Sequence, residues 1–298
     1  MRDFAGRTAF ITGGGSGIGL GMARAFAARG MKIVIADLHQ DHLDAAEDVL
    51  RGEGAEVLGI RVNVVDREAM RRAAQTVAER FGPLHLLCNN AGVFSTAQAD
   101  VEDYKDWDWI IDVDLKGVVN GLVNFLPLIK AHGQGGHVVN TSSISGIAPF
   151  SAGGGVYSAA KYGVTGLTDC LRLNLATHGI GVSLLCPGTV RTNLPLSEKS
   201  RLADLELVAK DGVQPELPPG MASAMDPLEA GERVVRAIEA NQPYIFTHGE
   251  FRDAIREHFE SVLACFPQED FGADRIAAEA RRRAALDAAR QAAARVGG

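Results

Sequence analysis

Thr12-Gly13-Gly14-Gly15-Ser16-Gly17-Ile18-Gly19 joins a short apolar run, Thr8-Ala9-Phe10-Ile11, to a helical stretch that begins at Ile18 and extends to about Ala28. Glycines at 13, 17 and 19 let the backbone turn sharply and let a phosphate-bearing ligand approach it closely. Such a ligand then meets the positive end of the helix. The spacing is GxxxGxG rather than the commoner GxGxxG, and a glycine-rich loop alone can be a plain turn. Its place at a strand-to-helix junction gives it weight, because a dinucleotide pyrophosphate is held there in doubly wound folds.

The same alternation continues along the chain. Strands are expected at Lys32–Ala36, Val57–Val62, Leu84–Cys88, His137–Asn140, Val182–Leu185 and Tyr244–Phe246. Helices are expected at Asp41–Arg51, Arg67–Arg80, Trp107–Lys130, Val156–Thr177 and Glu229–Ala240. The strands are apolar with little polar alternation, which implies burial on both faces and hence a parallel sheet covered by helices. The fold class is therefore α/β, a single doubly wound Rossmann-type domain over residues 1–265, followed by a C-terminal helical extension over 266–298. Residues 195–227 interrupt the rhythm with Pro215, Pro218, Pro219 and Pro227, and a loop of that length suggests a substrate lid. The Ala- and Arg-rich tail, with Arg281-Arg282-Arg283 at its centre and Asp274, Glu279 and Asp287 interleaved, reads as a solvated or partner-packing helix.

Composition bounds the function. The 298 residues are 46% hydrophobic and 22% charged, with a net charge of -7. A net negative chain argues against general nucleic-acid affinity. No apolar run reaches the roughly 20 residues that cross a bilayer. The N-terminus runs almost directly into a strand without a leader-like segment, so a cytoplasmic protein is expected. Cys88, Cys170, Cys186 and Cys265 are widely spaced in apolar contexts, which predicts buried thiols and no metal site.

Asp37 ends the second strand, where a carboxylate can bind the adenosine ribose hydroxyls and repel a 2′-phosphate; that choice favours NAD over NADP. Ser16 precedes Gly17 and no basic residue immediately follows Asp37, which points the same way. Asn89-Asn90-Ala91-Gly92 follows the fourth strand, positioned to line the cleft or to shape a turn. Tyr157 and Lys161 are spaced i, i+4, so a helix stacks them on one face. An ammonium there favours the phenolate and would make the tyrosine a usable proton-transfer group.

Thr12 to Gly19, Asn89 to Gly92, Thr141-Ser142-Ser143, Tyr157 to Lys161, and Pro187-Gly188-Thr189-Val190-Arg191-Thr192, in this order, resemble the short-chain dehydrogenase/reductase family. The resemblance covers residues 6–195 and the last helix-strand unit. It implies Tyr157 as acid/base, Lys161 as the residue that lowers the tyrosine pKa and binds the nicotinamide ribose, and Ser143 as the hydrogen-bond partner of the reacting oxygen. It implies Gly13, Ser16, Gly17, Ile18, Gly19, Asn90, Ala91, Gly92, Pro187, Gly188, Val190 and Thr192 as dinucleotide contacts. It also implies a homodimer or homotetramer.

Two positions depart from the family. Val113-Asp114-Leu115-Lys116-Gly117 carries Asp114 where an asparagine is usual, and an ionised carboxylate there would stabilise Lys161 and partly neutralise its effect on Tyr157. Asn63-Val64 stands where Asp-Val often binds the adenine amino group, a role the Asn63 oxygen can also fill. Phe94, Phe150, Val156 and Leu194 are candidate liners of an apolar pocket that fits an uncharged hydrophobic secondary alcohol or ketone. The segments Trp107–Ile111 and Tyr244–Thr247, with the extended C-terminus, look similar to bacterial dehydrogenases of benzylic alcohols in lignin-derived aryl ethers. Related members accept steroids, terpenols and cyclic alcohols. The alternatives are an NADP-linked carbonyl reductase and, from another class, a non-catalytic nucleotide sensor, against which the presence of both Tyr157 and Lys161 counts.

Overall fold

Apolar residues on both sides of every central strand dictate the architecture of the computed structural model, which describes residues 1–151, 153–197, 201, 223–268 and 272–296. Its strands are β1 (Thr8–Thr12), β2 (Lys32–Asp37), β3 (Val57–Arg61), β4 (Leu86–Asn89), β5 (Gly136–Thr141), β6 (Ile180–Cys186) and β7 (Tyr244–Phe246). Its helices are α1 (Gly17–Ala27), α2 (Gln40–Gly52), α3 (Arg67–Phe81), α4 (Tyr104–Ile111), α5 (Gly117–Ala131), α6 (Gly155–Leu175), α7 (Pro227–Glu239), α8 (Arg252–Ala264) and α9 (Gly272–Ala294). The strands form one parallel sheet in the order β3-β2-β1-β4-β5-β6-β7.

Successive residues of a strand point to opposite faces. Ile11, Ile33, Ile35, Leu86 and Cys88 pack with Met22 and Phe26 of α1, Leu50 of α2 and Val235 of α7. Phe10, Val34, Leu87 and Val138 face the other way, onto Met70 and Val77 of α3 and Phe125 of α5. Phe10 and Phe125 stack with centroids 3.9 Å apart. Each such side chain, fully buried, contributes about 1.5–3 kcal/mol, so the two cores hold the layers together.

The strand order reverses between β1 and β4, which opens a crevice beyond their carboxyl ends. The glycine loop follows β1, Asn90 follows β4, Ser143 follows β5 and Pro187 follows β6. The topology alone therefore delivers four separate motifs to one edge.

Two expectations change. The single helix expected over 107–130 is divided: α4 and α5 are joined by a π-helical turn, Asp112–Lys116. Such wide turns insert an extra residue and rotate the helix beyond them, which 3.6-residue periodicity cannot reveal. The cysteines do not share one environment. Cys88 and Cys186 are buried, whereas Cys170 and Cys265 are exposed because they lie on the outer face of α6 and at the end of α8. The 195–227 segment falls largely outside the described residues. Among the described residues no helix is long and apolar enough to cross a membrane.

Candidate active site

The glycine loop is shaped by contact as much as by torsion. Gly13 and Gly17 have φ of 62° and 50°, where other residues are strained. A Cβ on Gly19 would fall 2.0 Å from the Gly13 carbonyl oxygen. Asn90 Nδ2 donates to the Thr12 and Gly13 carbonyls at 3.1 and 3.4 Å. Thr12 Oγ1 accepts from the amides of Asn90 and Ala91 at 2.9 and 3.0 Å. Sequence reasoning placed Thr12 and Asn90 in motifs but missed that they tie two loops together. Ser16 caps α1 through backbone geometry alone, without a side-chain cap, and Ile18 is half-buried against the first core.

Asp37 is the second anchor of this crevice. Its oxygens accept from the Gly15 and His39 amides at 3.1 and 3.2 Å, and His42 Nδ1 lies 3.8 Å away. Burial would raise its pKa, but His42 and those amides outweigh it and hold the carboxyl below its usual range. His42, raised by the same contact, is a basic neighbour that the sequence reading did not anticipate. Asn63 is exposed at the end of β3, with Oδ1 accepting from the Val65 amide at 3.0 Å. Val64 is buried, and its carbonyl accepts from Asn120 at 2.8 Å.

On the opposite wall, Ile144 donates its amide to the Pro187 carbonyl at 3.1 Å, which ties the Ser143 turn to the segment after β6. A Cβ on Gly17 would meet the Thr192 side chain at 2.9 Å, so that segment reaches across to the glycine loop. Val190 is buried and bridged to Met225, while Gly188 donates to Thr247 Oγ1 at 2.9 Å.

Tyr157 and Lys161 lie buried on α6, as their spacing requires, with the Lys161 ammonium 5.4 Å from the Tyr157 ring centre. The π turn brings Asp114 to the same point: Oδ2 is 3.1 Å from Lys161 Nζ. Asp114 Oδ1 accepts from the Val93 amide at 2.8 Å, and Lys161 also donates to the Thr141 carbonyl at 3.3 Å. A Cβ on Gly92 would come within 3.3 Å of the ammonium, a tight contact that a glycine avoids. Ser143 lies beside Tyr157 and favours its phenolate, and its Oγ accepts from the Ser145 amide at 3.1 Å.

Burial adds to the charge effects expected from the sequence. Burial raises the Tyr157 phenol; Lys161 and Ser143 pull it down, Asp114 pushes it up, and the net direction is upward. Burial raises Asp114 as well, more than Lys161 offsets. Burial acts to lower Lys161, yet Asp114 and Tyr157 outweigh it and leave the ammonium raised.

Phe94 packs edge-on against the Tyr157 ring at 5.1 Å, and half-buried Phe150 and Leu194 lie on the loops that frame the crevice. Val156 is corrected: it has no exposed surface and packs with Val93, Ile110 and Ala160 behind Tyr157, so it supports the wall and does not line it. Sequence reasoning missed Phe251 and His248. Phe251 meets Phe150 edge-on at 5.2 Å, and a Cβ on Gly188 would touch both Phe251 and His248 at 2.7 Å. They arrive from the far side of β7, too distant in sequence to be assigned to the pocket.

A glycine-lined crevice at the switch point, with a buried Tyr-Lys pair and a half-buried serine across it, defines a dinucleotide-binding oxidoreductase. Comparison with known proteins gives its family. The family model described as short chain dehydrogenase matches residues 7–202, and the chain belongs to the short-chain dehydrogenase/reductase family. It is 38% identical over 271 residues to a C alpha-dehydrogenase of Sphingobium sp. (strain NBRC 103272 / SYK-6), covering 88% of this chain and 87% of that one. A short-chain dehydrogenase structure from Novosphingobium aromaticivorans superposes with a TM-score of 0.84 at 36% identity, covering 98% of this chain and all of the other (100%). A family member from Burkholderia phymatum in complex with NAD superposes at 0.81 with 32% identity, covering 92% and 100%.

Proposed function

We propose that the protein transfers a hydride between NAD and a hydrophobic secondary alcohol or its ketone, an aryl carbinol or cyclic alcohol being the preferred class, with Tyr157 as acid/base. The observation that carries this reading is the buried Tyr157–Lys161 pair, with half-buried Ser143 beside it, at the glycine crevice. The loop suits a dinucleotide: a Cβ on Gly13 or Gly19 would meet backbone and one on Gly17 the Thr192 side chain, so the turn carries no side chains where a pyrophosphate would approach. Gly13 to Gly19 would hold the pyrophosphate, Asp37 the adenosine ribose, Asn63 and Val64 the adenine, and Asn90 to Gly92 with Pro187 to Thr192 the nicotinamide half. A bound nicotinamide supplies hydride donation to, or acceptance from, the substrate carbon. Ser143 would hold the substrate oxygen by hydrogen bond, and Tyr157 would give or take its proton. Lys161 would steady the phenolate and bind the ribose.

Phe94, Phe150 and Leu194, joined by Phe251, offer aromatic and apolar surface to a substrate. The similarity to a C alpha-dehydrogenase supports oxidation at a carbinol carbon. Residues 1–265 would act as one dehydrogenase domain with 266–298 as an appendage. The exposed apolar residues Val119 and Val123 of α5 and Tyr162 of α6 favour a homodimer or homotetramer, and the proposed setting is the cytoplasm.

An NADP-linked carbonyl reductase is the second reading. His42 beside Asp37, and Arg61 bonded to the Leu38 carbonyl at 3.2 Å, place basic groups near the ribose anchor. The test is initial rates with aryl carbinols, cyclic alcohols and steroids, each with NAD and NADP, followed by dinucleotide absorbance. Preference for NAD, relaxed about tenfold or more by Asp37→Ala, is expected, since losing a charged hydrogen-bond acceptor costs about 1.5–3 kcal/mol. Tighter use of NADP by the native protein would reverse the choice.

A further inference from the structure

A Cβ on Gly15 would fall 2.9 Å from both Asp37 Oδ2 and the His42 Cβ, so the glycine loop, the end of β2 and the first turn of α2 meet at one point. His42 Nδ1 lies 3.8 Å from Asp37 Oδ1, in ion-pair range rather than hydrogen-bond range, and the two side chains are 33% and 10% exposed. His39 stands beside His42, with ring centres 4.9 Å apart. The other charges that act on the two histidines are Asp41, on the same turn of α2, and Arg61, at the end of β3. The loop from Gly13 to Ser16 adds no charged side chain. Arg61 is positive at every working pH, whereas a histidine changes its charge near neutrality.

We propose that His42 is a specificity-determining residue whose charge state makes the choice between NAD and NADP depend on pH. This deepens the reading of Asp37 as the adenosine-ribose anchor and rests on it. With His42 neutral, the ionised carboxylate faces a 2′-phosphate unopposed and repels it. With His42 protonated, the imidazolium offsets that charge and attracts the phosphate, so discrimination falls. Contact with Asp37 outweighs burial and holds His42 above the ordinary histidine value of 6.5. His39 is held below that value, by burial first and then by the charge on His42, so it stays neutral over the same range. Imidazolium at position 42 is therefore present at pH 6.5 and is lost as the pH rises further. The preference for NAD sharpens over that interval.

The test is calorimetric titration of the intact chain with NAD and with NADP, from about pH 6 to about pH 8.5, in the native protein, His42→Gln and His42→Lys. The NADP phosphate itself gains a proton near pH 6, an effect common to all three proteins. In the native protein the ratio of the NADP Kd to the NAD Kd is expected to rise with pH by about fivefold more than in His42→Gln, the size of a partly exposed charge pair. His42→Lys should keep the ratio low throughout, because its charge does not titrate in this range. Equal slopes in the native protein and His42→Gln overturn the proposal, and so does a native ratio that falls as pH rises. A second readout needs no dinucleotide. Proton NMR of the His42 ring should give a midpoint above 6.5 that drops in Asp37→Ala; a midpoint that does not move overturns the proposal. Should Asp37→Ala leave the Kd ratio at its native value at every pH, the ribose reading itself fails. An effect of Asp37→Ala together with equal native and His42→Gln slopes overturns this inference alone.

Discussion

At position 90 a carboxamide donates to the Thr12 and Gly13 carbonyls and accepts from Thr141 Oγ1 at 3.3 Å, so one side chain joins the ends of β1, β4 and β5 around the crevice. Asn90→Ala removes these bonds at a partly open site, where water can satisfy the freed carbonyls and stability changes little. Binding should suffer more, because a loop no longer held in place must be ordered by the ligand. A rise of about five- to tenfold in the dinucleotide dissociation constant is expected, measured by fluorescence titration, with a melting temperature within a few degrees of native. A comparable loss of stability without a change in affinity would mean that Asn90 only braces the fold. The motif containing Asn90 was legible because a strand end fixes where such a loop must lie. Its bonds were not, since they join residues that are 51 to 78 positions apart. Asp114 was legible as a departure from a pattern and as a neighbour of Lys161, yet its effect on Tyr157 depends on burial, which a sequence does not state. Val156 was misassigned for the same reason: adjacency to Tyr157 says nothing about which face of α6 a residue occupies.

Helices α1 and α7 cross through glycines. A Cβ on Gly21 would fall 2.0 Å from the Pro227 carbonyl oxygen, and one on Gly231 would fall 2.3 Å from the Gly21 oxygen. Both obstacles are backbone, so relief requires the helices to part and the first core between them to open. Gly21→Ala is expected to cost about 1–3 kcal/mol despite its gain in helix propensity. On α6, Gly166 has open space where its Cβ would lie. Gly166→Ala should therefore stabilise by up to about 1 kcal/mol. Urea denaturation of the two variants checks the contrast, and equal effects would show that propensity, not contact, governs both sites. At this scale the order and type of most elements followed from apolar runs and glycine punctuation. The π turn did not, because one extra residue in a turn leaves the composition unchanged, and yet it is the device that aims Asp114 at Lys161.

The C-terminal helix is joined to the rest of the molecule mainly at its far end. Most of α9 is exposed, whereas Ala293 and Val296 are buried. Asn241, a non-glycine residue at φ 50°, donates from Nδ2 to the Ala293 carbonyl at 2.9 Å. Its Oδ1 and carbonyl oxygen accept from Arg172 of α6 at 3.1 and 2.7 Å. One side chain therefore links α6, the turn after α7 and the tail. Its substitution separates two costs. Asn241→Gly keeps the left-handed backbone without strain but leaves Arg172 and the Ala293 carbonyl short of partners, a loss of about 1–3 kcal/mol. Asn241→Ala adds about 1–2 kcal/mol for a Cβ in the left-handed region. Each kcal/mol lowers the melting temperature by roughly 2–4 °C in a protein of this size class. Both variants should also lose the tail faster in limited proteolysis, because α9 loses its polar anchor while the sheet stays folded. If Asn241→Gly melts lower but is cut no faster, the Arg172 bonds carry the loss and burial of Ala293 and Val296 suffices to dock the tail.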